Sequence, residues 1–154
     1  MSVPSALQSS EQLSRASHLR HDLAEAMTAL EEVIAGPASV DDWLDRTEAR
    51  LGDVRKALDS HIEEVEGSHG LLAEIVAVAP RLAPYTEDLR QEHLELLGAW
   101  LRAEATVRLA LDGNATVSSV RRQVTTLLGR LTLHRQAGAD LVFEAYNVDI
   151  GALD

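Results

Sequence analysis

The chain is expected to be all-α, folding as an antiparallel up-down-up-down four-helix bundle with a short extra helix between the second and third long helices. Three observations predict this. Aromatic residues make up only 3% of the 154 residues while Leu and Ala abound, so packing has to come from aliphatic helix faces rather than from strands. Apolar residues recur at steps of three and four over long stretches, the period of a helix with one buried face. Glycine and proline fall between those stretches, leaving short or medium links of the kind that join antiparallel neighbours. The length suits a single domain, residues 1–154, with one normal core.

The first helix is expected to begin near Ser5 or Ser9 and to end at Ala35, before the Gly36-Pro37 breaker. Leu19, Leu23, Met27, Leu30 and Ile34 form its stripe. His18 and His21 fall roughly 140–160° from Leu23 on the wheel, so if that stripe packs they face water. The second helix has Ser39 as its expected cap and Asp41 and Asp42 in its first turn, where carboxylates suit the positive end of the helix dipole. It continues through Trp43, Leu44, Leu51, Val54 and Leu58 to Val65, and Gly67-Ser68 interrupts it. Residues 71–79 read as a short apolar helix that stops at Pro80 and covers one end of the bundle.

The third helix is expected to start between Pro84 and Thr86 and to reach Leu111, before Asp112-Gly113-Asn114. Leu89, Leu96, Trp100, Ala103 and Val107 mark its buried side. The fourth is capped by Thr116, Ser118 or Ser119 and carries Val120, Val124, Leu127, Leu131, Gly138, Val142 and Ala145 on one side. Gly98, Gly129 and Gly138 are expected where helices pack closely. Residues 147–154 show no helical pattern.

Charge narrows the function classes. A formal net charge of −11 repels phosphate backbones and anionic lipid surfaces, so neither nucleic acid nor membrane is expected as a partner. The chain has no cysteine, which excludes disulfides, thiolate metal sites and a cysteine nucleophile, and fits a reducing compartment. The first residues, MSVPSALQSSEQLSR, lack a basic leader followed by an apolar run. The expected location is the cytoplasm. Asn114-Ala115-Thr116 is read as a turn, and no phosphate-binding glycine pattern or nucleophile elbow occurs.

What remains is the histidines. His61, His93 and His134 each border the apolar stripe of a different helix, and imidazoles converging inside a bundle are a common way to hold iron, manganese or zinc. Glu92, on the edge of the third helix, and Glu66 or Glu64, just past His61, are the candidate carboxylates. The bland alternative is that each ring merely bonds a backbone carbonyl or a neighbouring carboxylate. A ferritin-like oxidase is disfavoured, because none of the three histidines has a glutamate three residues before it.

Four segments, SHLRHDL, HIEEVE, QEHLELL and LHRQAGADLVFEAY, together give the chain a pattern that resembles the hemerythrin-like (HHE cation-binding) family. That resemblance implies a four-helix bundle with a histidine on every helix. It also implies a non-haem iron site of one or two ions that binds or senses O2, NO or an oxidant. It would make His18 or His21, His61, His93 and His134 the metal ligands, with Glu64 or Glu66 and Asp140 or Glu144 as carboxylates. The chain departs from the family pattern at three places. Val65 stands four residues after His61, Leu97 stands where a second histidine of the third helix would be, and Gly138 and Ala139 replace the carboxylate expected after His134.

Two readings follow. One is a hemerythrin-like iron protein, a binder or sensor of a small diatomic ligand rather than an enzyme. The other is a metal-free bundle that pairs with a protein partner or with its own copy.

Overall fold

The computed structural model describes residues 6–148. In chain order it consists of α1 (Ala6–Ala35), α2 (Trp43–Glu66), a short α3 (Leu71–Val78), a 3-10 turn (Pro80–Leu82), α4 (Ala83–Leu111), α5 (Val117–Phe143) and a turn of π-helix (Glu144–Val148). The described residues contain no strand. The four long helices share one core, with α1 packed mainly on α2, α4 on α5, and α2 on α4. None of the described helices is long and apolar enough to cross a membrane.

Most of the stripe positions named from spacing form the core, while Leu19 joins neither core cluster. Leu23 and Leu30 of α1, Leu51, Val54 and Leu58 of α2, Ala103 and Val107 of α4, and Val120, Val124, Leu127 and Leu131 of α5 are fully buried. Each large aliphatic side chain taken out of water this way contributes about 1.5–3 kcal/mol. A second, smaller cluster gathers Val65, Leu72, Ile75, Leu82, Leu89 and Leu141 under α3. It closes the end of the bundle where the short apolar helix was expected as a cover.

Two tryptophans fix the other parts of the frame. Trp100 donates its indole N–H to the Leu51 carbonyl at 2.8 Å, tying α4 to α2. Trp43 donates to the Val33 carbonyl at 2.8 Å, which holds the start of α2 against the end of α1. Arg121 of α5 lies over the Trp43 ring and donates to the carbonyls of Ile34 and Gly36. It satisfies acceptors that the end of α1 leaves without a partner within the helix.

Several expectations about local structure are corrected. The second helix does not start at Ser39; it starts at Trp43, after a turn in which Val40 N–H bonds the Pro37 carbonyl at 3.3 Å. Asp42 sits just before it in the left-handed region, φ 67°, and makes no capping bond, so Asp45 is the carboxylate of the first turn. Aspartate tolerates that conformation better than most residues, and the Trp43 contact fixes where the helix can begin. Thr116 is the cap of α5, accepting from Ser119 N–H at 3.0 Å.

Gly129 is exposed, and a Cβ on Gly129 or Gly138 would meet nothing within 4 Å, so neither marks a close helix contact. At Gly98 a Cβ would reach only the end of the flexible Arg102 side chain. Asn147 and Val148, expected outside any helix, close the π turn, while residues 149–154 lie outside the described part.

Candidate metal centre

The three histidines sit where the two apolar clusters meet. On α2, His61 stands between Leu58 and Val65; on α4, His93 lies between Leu89 and Leu96; on α5, His134 lies between Leu131 and Leu141. Each is three residues from a core leucine of the larger cluster, which carries its ring around the helix to the same face. His93 and His134 are 2% and 5% exposed, and His61 is partly buried.

The rings meet. One nitrogen from each of His61, His93 and His134 lies within 4.8 Å of the others. The closest pair is His93 Nε2 and His134 Nε2, 3.1 Å apart. Ring centroids are separated by 5.5 Å for His61 and His93, 5.6 Å for His61 and His134, and 4.7 Å for His93 and His134. The expectation that three imidazoles from three helices converge is met.

Two carboxylates stand behind the rings rather than among them. Glu92 Oε2 lies 2.7 Å from His134 Nδ1, and Glu66 Oε1 lies 3.3 Å from His93 Nδ1. The first is a hydrogen bond. The second is off line for one, so His93 Nδ1 is a buried nitrogen with no hydrogen-bond partner. A carboxylate hydrogen-bonded to Nδ1 favours the proton there and leaves the Nε2 lone pair free, which holds for His134 and not for His93. Glu92, one of the candidate carboxylates, hydrogen-bonds a ring from behind, Glu66 stands behind His93 without a hydrogen bond, and neither puts an oxygen among the clustered nitrogens.

Burial sets the charge. His61 is held well below the usual imidazole range, at about 3, by burial first and then by the positive charge its neighbours would carry, His134, His93, Arg20 and Arg135 in that order. His93 is lowered to about 4 by burial, with His134 and Arg90 adding to it. Both rings are therefore neutral at pH 7. The neutral ring is the form that offers a lone pair to a metal ion.

The remaining candidates are elsewhere. His18 and His21 do not join the site; their side chains are 76% and 68% exposed and face Asp22 at 3.8 Å and Glu25 at 3.3 Å along their own helix. The wheel reading, which turned them to solvent, is the one the fold follows, because Leu23, Met27 and Leu30 occupy the inner face of α1. Glu64 is partly buried, without an oxygen in the cluster of nitrogens. His69 is exposed in the break after α2. Asp140 accepts from Gln136 at 2.8 Å, and Glu144 pairs with Arg81 at 2.9 Å.

The sequence reading passed over two arginines. A cavity of about 40 Å³ adjoins the three histidines beneath α3, and Arg20 of α1 and Arg135 of α5 line it together with Val65, Leu72 and Ile75. The signal for Arg20 was available, since Ala16, Arg20, Leu23 and Met27 follow one another at the four-three-four spacing of a buried face. Tyr146, beyond α5, closes this end by donating its hydroxyl to Glu74 Oε1 of α3 at 2.7 Å. Its phenol is raised far above the ordinary range, by burial and then by that bond.

Comparison with protein-family models, with curated proteins and with solved structures gives no match to this chain. The centre therefore stands on its own geometry: three converging imidazoles in an all-α protein, two of them, His61 and His93, kept neutral by burial, with a carboxylate behind His93 and His134.

Proposed function

We propose that this protein is a non-haem metal protein that holds one transition-metal ion on His61, His93 and His134 and binds a small ligand in the adjoining cavity. The observation that carries the reading is the meeting of the three imidazoles, above all the 3.1 Å between His93 Nε2 and His134 Nε2. Nitrogens bound to one ion at ~2.1 Å stand about 3.0–3.4 Å apart. Without an ion, the same 3.1 Å is a hydrogen bond between the two rings, so it is the third nitrogen, from His61, that turns the pair into a ligand set. The wider separations to His61, up to 4.8 Å, require its ring to swing inward when the ion binds. His61 is the least buried of the three and has the most room to do so.

The donor set fits such an ion. Three imidazole nitrogens suit iron, zinc, copper or nickel, and disfavour magnesium and calcium, which prefer oxygen. Three protein ligands leave a position open, and a cavity of about 40 Å³ beside it is several times the ~10–15 Å³ that one water needs. Iron with O2 or NO as the ligand is the assignment that the hemerythrin-like resemblance favours. A single ion is favoured over a pair, because the described residues bring three nitrogens and no carboxylate oxygen into the cluster. When bound, the ion would supply Lewis acidity or electron exchange at that open position. The protein's part is to keep His61 and His93 neutral, to orient the His134 ring through Glu92, and to keep bulk water out with the aliphatic cluster under α3. The up-down-up-down order of the four helices belongs to the same reading. It is supported by the short links between α1 and α2 and between α4 and α5, each joining two helices that pack side by side.

The test is thermal unfolding of chelator-stripped protein with added Fe²⁺ under anaerobic conditions, Zn²⁺ or Mg²⁺. A rise of several degrees with Fe²⁺ or Zn²⁺, absent with Mg²⁺ and absent in His134→Ala, is the expected result. If no cation moves the transition, the metal reading fails and the bundle is left as a surface for a protein partner or a second copy of itself.

A further inference from the structure

The cavity beside the histidines has a charge pattern that the metal reading does not use. The charged side chains on its wall are Arg20 and Arg135, both cationic, in a protein whose formal net charge is −11. No aspartate or glutamate lines it. The two nearest carboxylates of the site, Glu66 and Glu92, are taken up behind His93 and His134. Six other arginines, Arg50, Arg55, Arg81, Arg90, Arg108 and Arg121, pair with carboxylates or with carbonyls. Arg135 has no such pair, and its Nε, like that of Arg90, is a buried donor with no hydrogen-bond partner among the described residues.

Arg20 and Arg135, from separate helices, bring two cations to the wall of one small, largely apolar cavity that no carboxylate lines. Leaving a buried donor such as Arg135 Nε unpaired costs ~1–3 kcal/mol, and more for a charged group. An anion in the cavity supplies the missing partner. The guanidinium fork matches a planar pair of oxygens and binds it through two parallel hydrogen bonds. With ~10–15 Å³ per water-sized position, a cavity of about 40 Å³ holds an anion of three or four heavy atoms and excludes phosphate with its full oxygen shell.

We infer that the cavity is a binding site for a small planar oxyanion, of the formate, nitrite or bicarbonate class, held by Arg20 and Arg135 beside the three histidines. This names the ligand of the proposed metal centre as an anion in place of a neutral diatomic molecule. The inference rests on the metal reading only in placing that anion at the ion's open position. The arginine site itself exists in the metal-free chain.

The experiment is titration of sodium formate, sodium nitrite and sodium bicarbonate into chelator-stripped and metal-loaded protein, followed by calorimetry. Formamide serves as the neutral isostere of formate, and metal content is measured separately. The expected result is saturable binding of at least one of the three anions at one site. Binding should be at least about tenfold weaker for formamide than for formate, and about tenfold weaker for that anion in Arg20→Gln and in Arg135→Gln. Arg130→Gln, on the exposed side of α5, should leave binding unchanged. Arg20→Lys keeps the charge but not the fork, and should recover part of the affinity should either glutamine variant fold poorly. Binding in the stripped protein upholds the assignment even if the chain takes up no metal. No saturable binding in either form, equal binding of formamide, or binding indifferent to both Arg20→Gln and Arg20→Lys overturns it.

Discussion

His93 and His134 face each other nitrogen to nitrogen across 3.1 Å, and each has a carboxylate at its far side, Glu66 for His93 and Glu92 for His134. The two rings are thus pressed together at the ends that lack a carboxylate. At 3.1 Å the two nitrogens are at hydrogen-bond distance, and with His61 they bring three ring nitrogens together in a core otherwise filled with leucine and valine; that convergence is the reason for reading the site as a metal centre.

The carboxylates behind the rings should not contribute equally. Glu92 bonds His134 Nδ1 at 2.7 Å, so Glu92→Gln is expected to weaken metal binding by ~10–100-fold while leaving the helices intact. Glu66 is 3.3 Å from His93 Nδ1 and off line, so Glu66→Gln should have a smaller effect. Competition with a chromophoric chelator measures both. Equal affinities in wild type and Glu92→Gln would remove Glu92 from the account.

Stability of the metal-free protein should depend on pH in a defined window. His61 and His93 have folded values of about 3 and about 4, below the ordinary 6.5, so the unfolded chain binds protons more readily than the folded one. Their contribution is present above pH 6.5 and is lost as pH falls from there towards 4. The expected loss is on the order of a few kcal/mol, read as a fall in the urea midpoint. A midpoint flat from pH 7 to 4.5 would mean that the rings are not buried neutral.

Gly70 should be required for the lid over the cavity. A Cβ there would collide with the Glu64 carbonyl and stand 2.8 Å from the Val65 carbonyl, although the backbone angles are ordinary for any residue. Gly70→Ala is therefore expected to cost about 1–3 kcal/mol and to unseat α3, exposing the centre. Chemical denaturation and hydrogen exchange of residues 71–78 would register it. Unchanged protection in α3 would contradict this.

His18→Ala and His21→Ala should leave metal content unchanged and shift stability by no more than ~0.5 kcal/mol, since their ion pairs are exposed. A loss of metal in either variant would bring α1 into the site and revive a histidine from every helix.

Much of this molecule is legible in its spacing. Leu51, Val54, Leu58, His61 and Val65 follow one another by three and four, as do Leu89, His93, Leu96 and Trp100, so the rings of His61 and His93 had to share a face with their leucines. The same rule set His18 and His21 aside. Spacing within one helix says nothing about partners on another. That is why Glu92, one residue before His93, serves His134 across the helix boundary. Gly70 and Asp42 depend on how the chain turns back on itself, which no period records. Arg20 went unread because a charged residue at a buried position is taken for a surface residue until its neighbours are known.

The most direct measurement is the metal content of the purified chain after loading with Fe²⁺ or Zn²⁺ and removal of excess, set beside His93→Ala and His134→Ala treated in the same way. About one ion per chain in the wild type, falling to a tenth or less in both variants, is predicted for an ion held by His61, His93 and His134. A wild type that retains none, or variants that retain as much as the wild type, would contradict it.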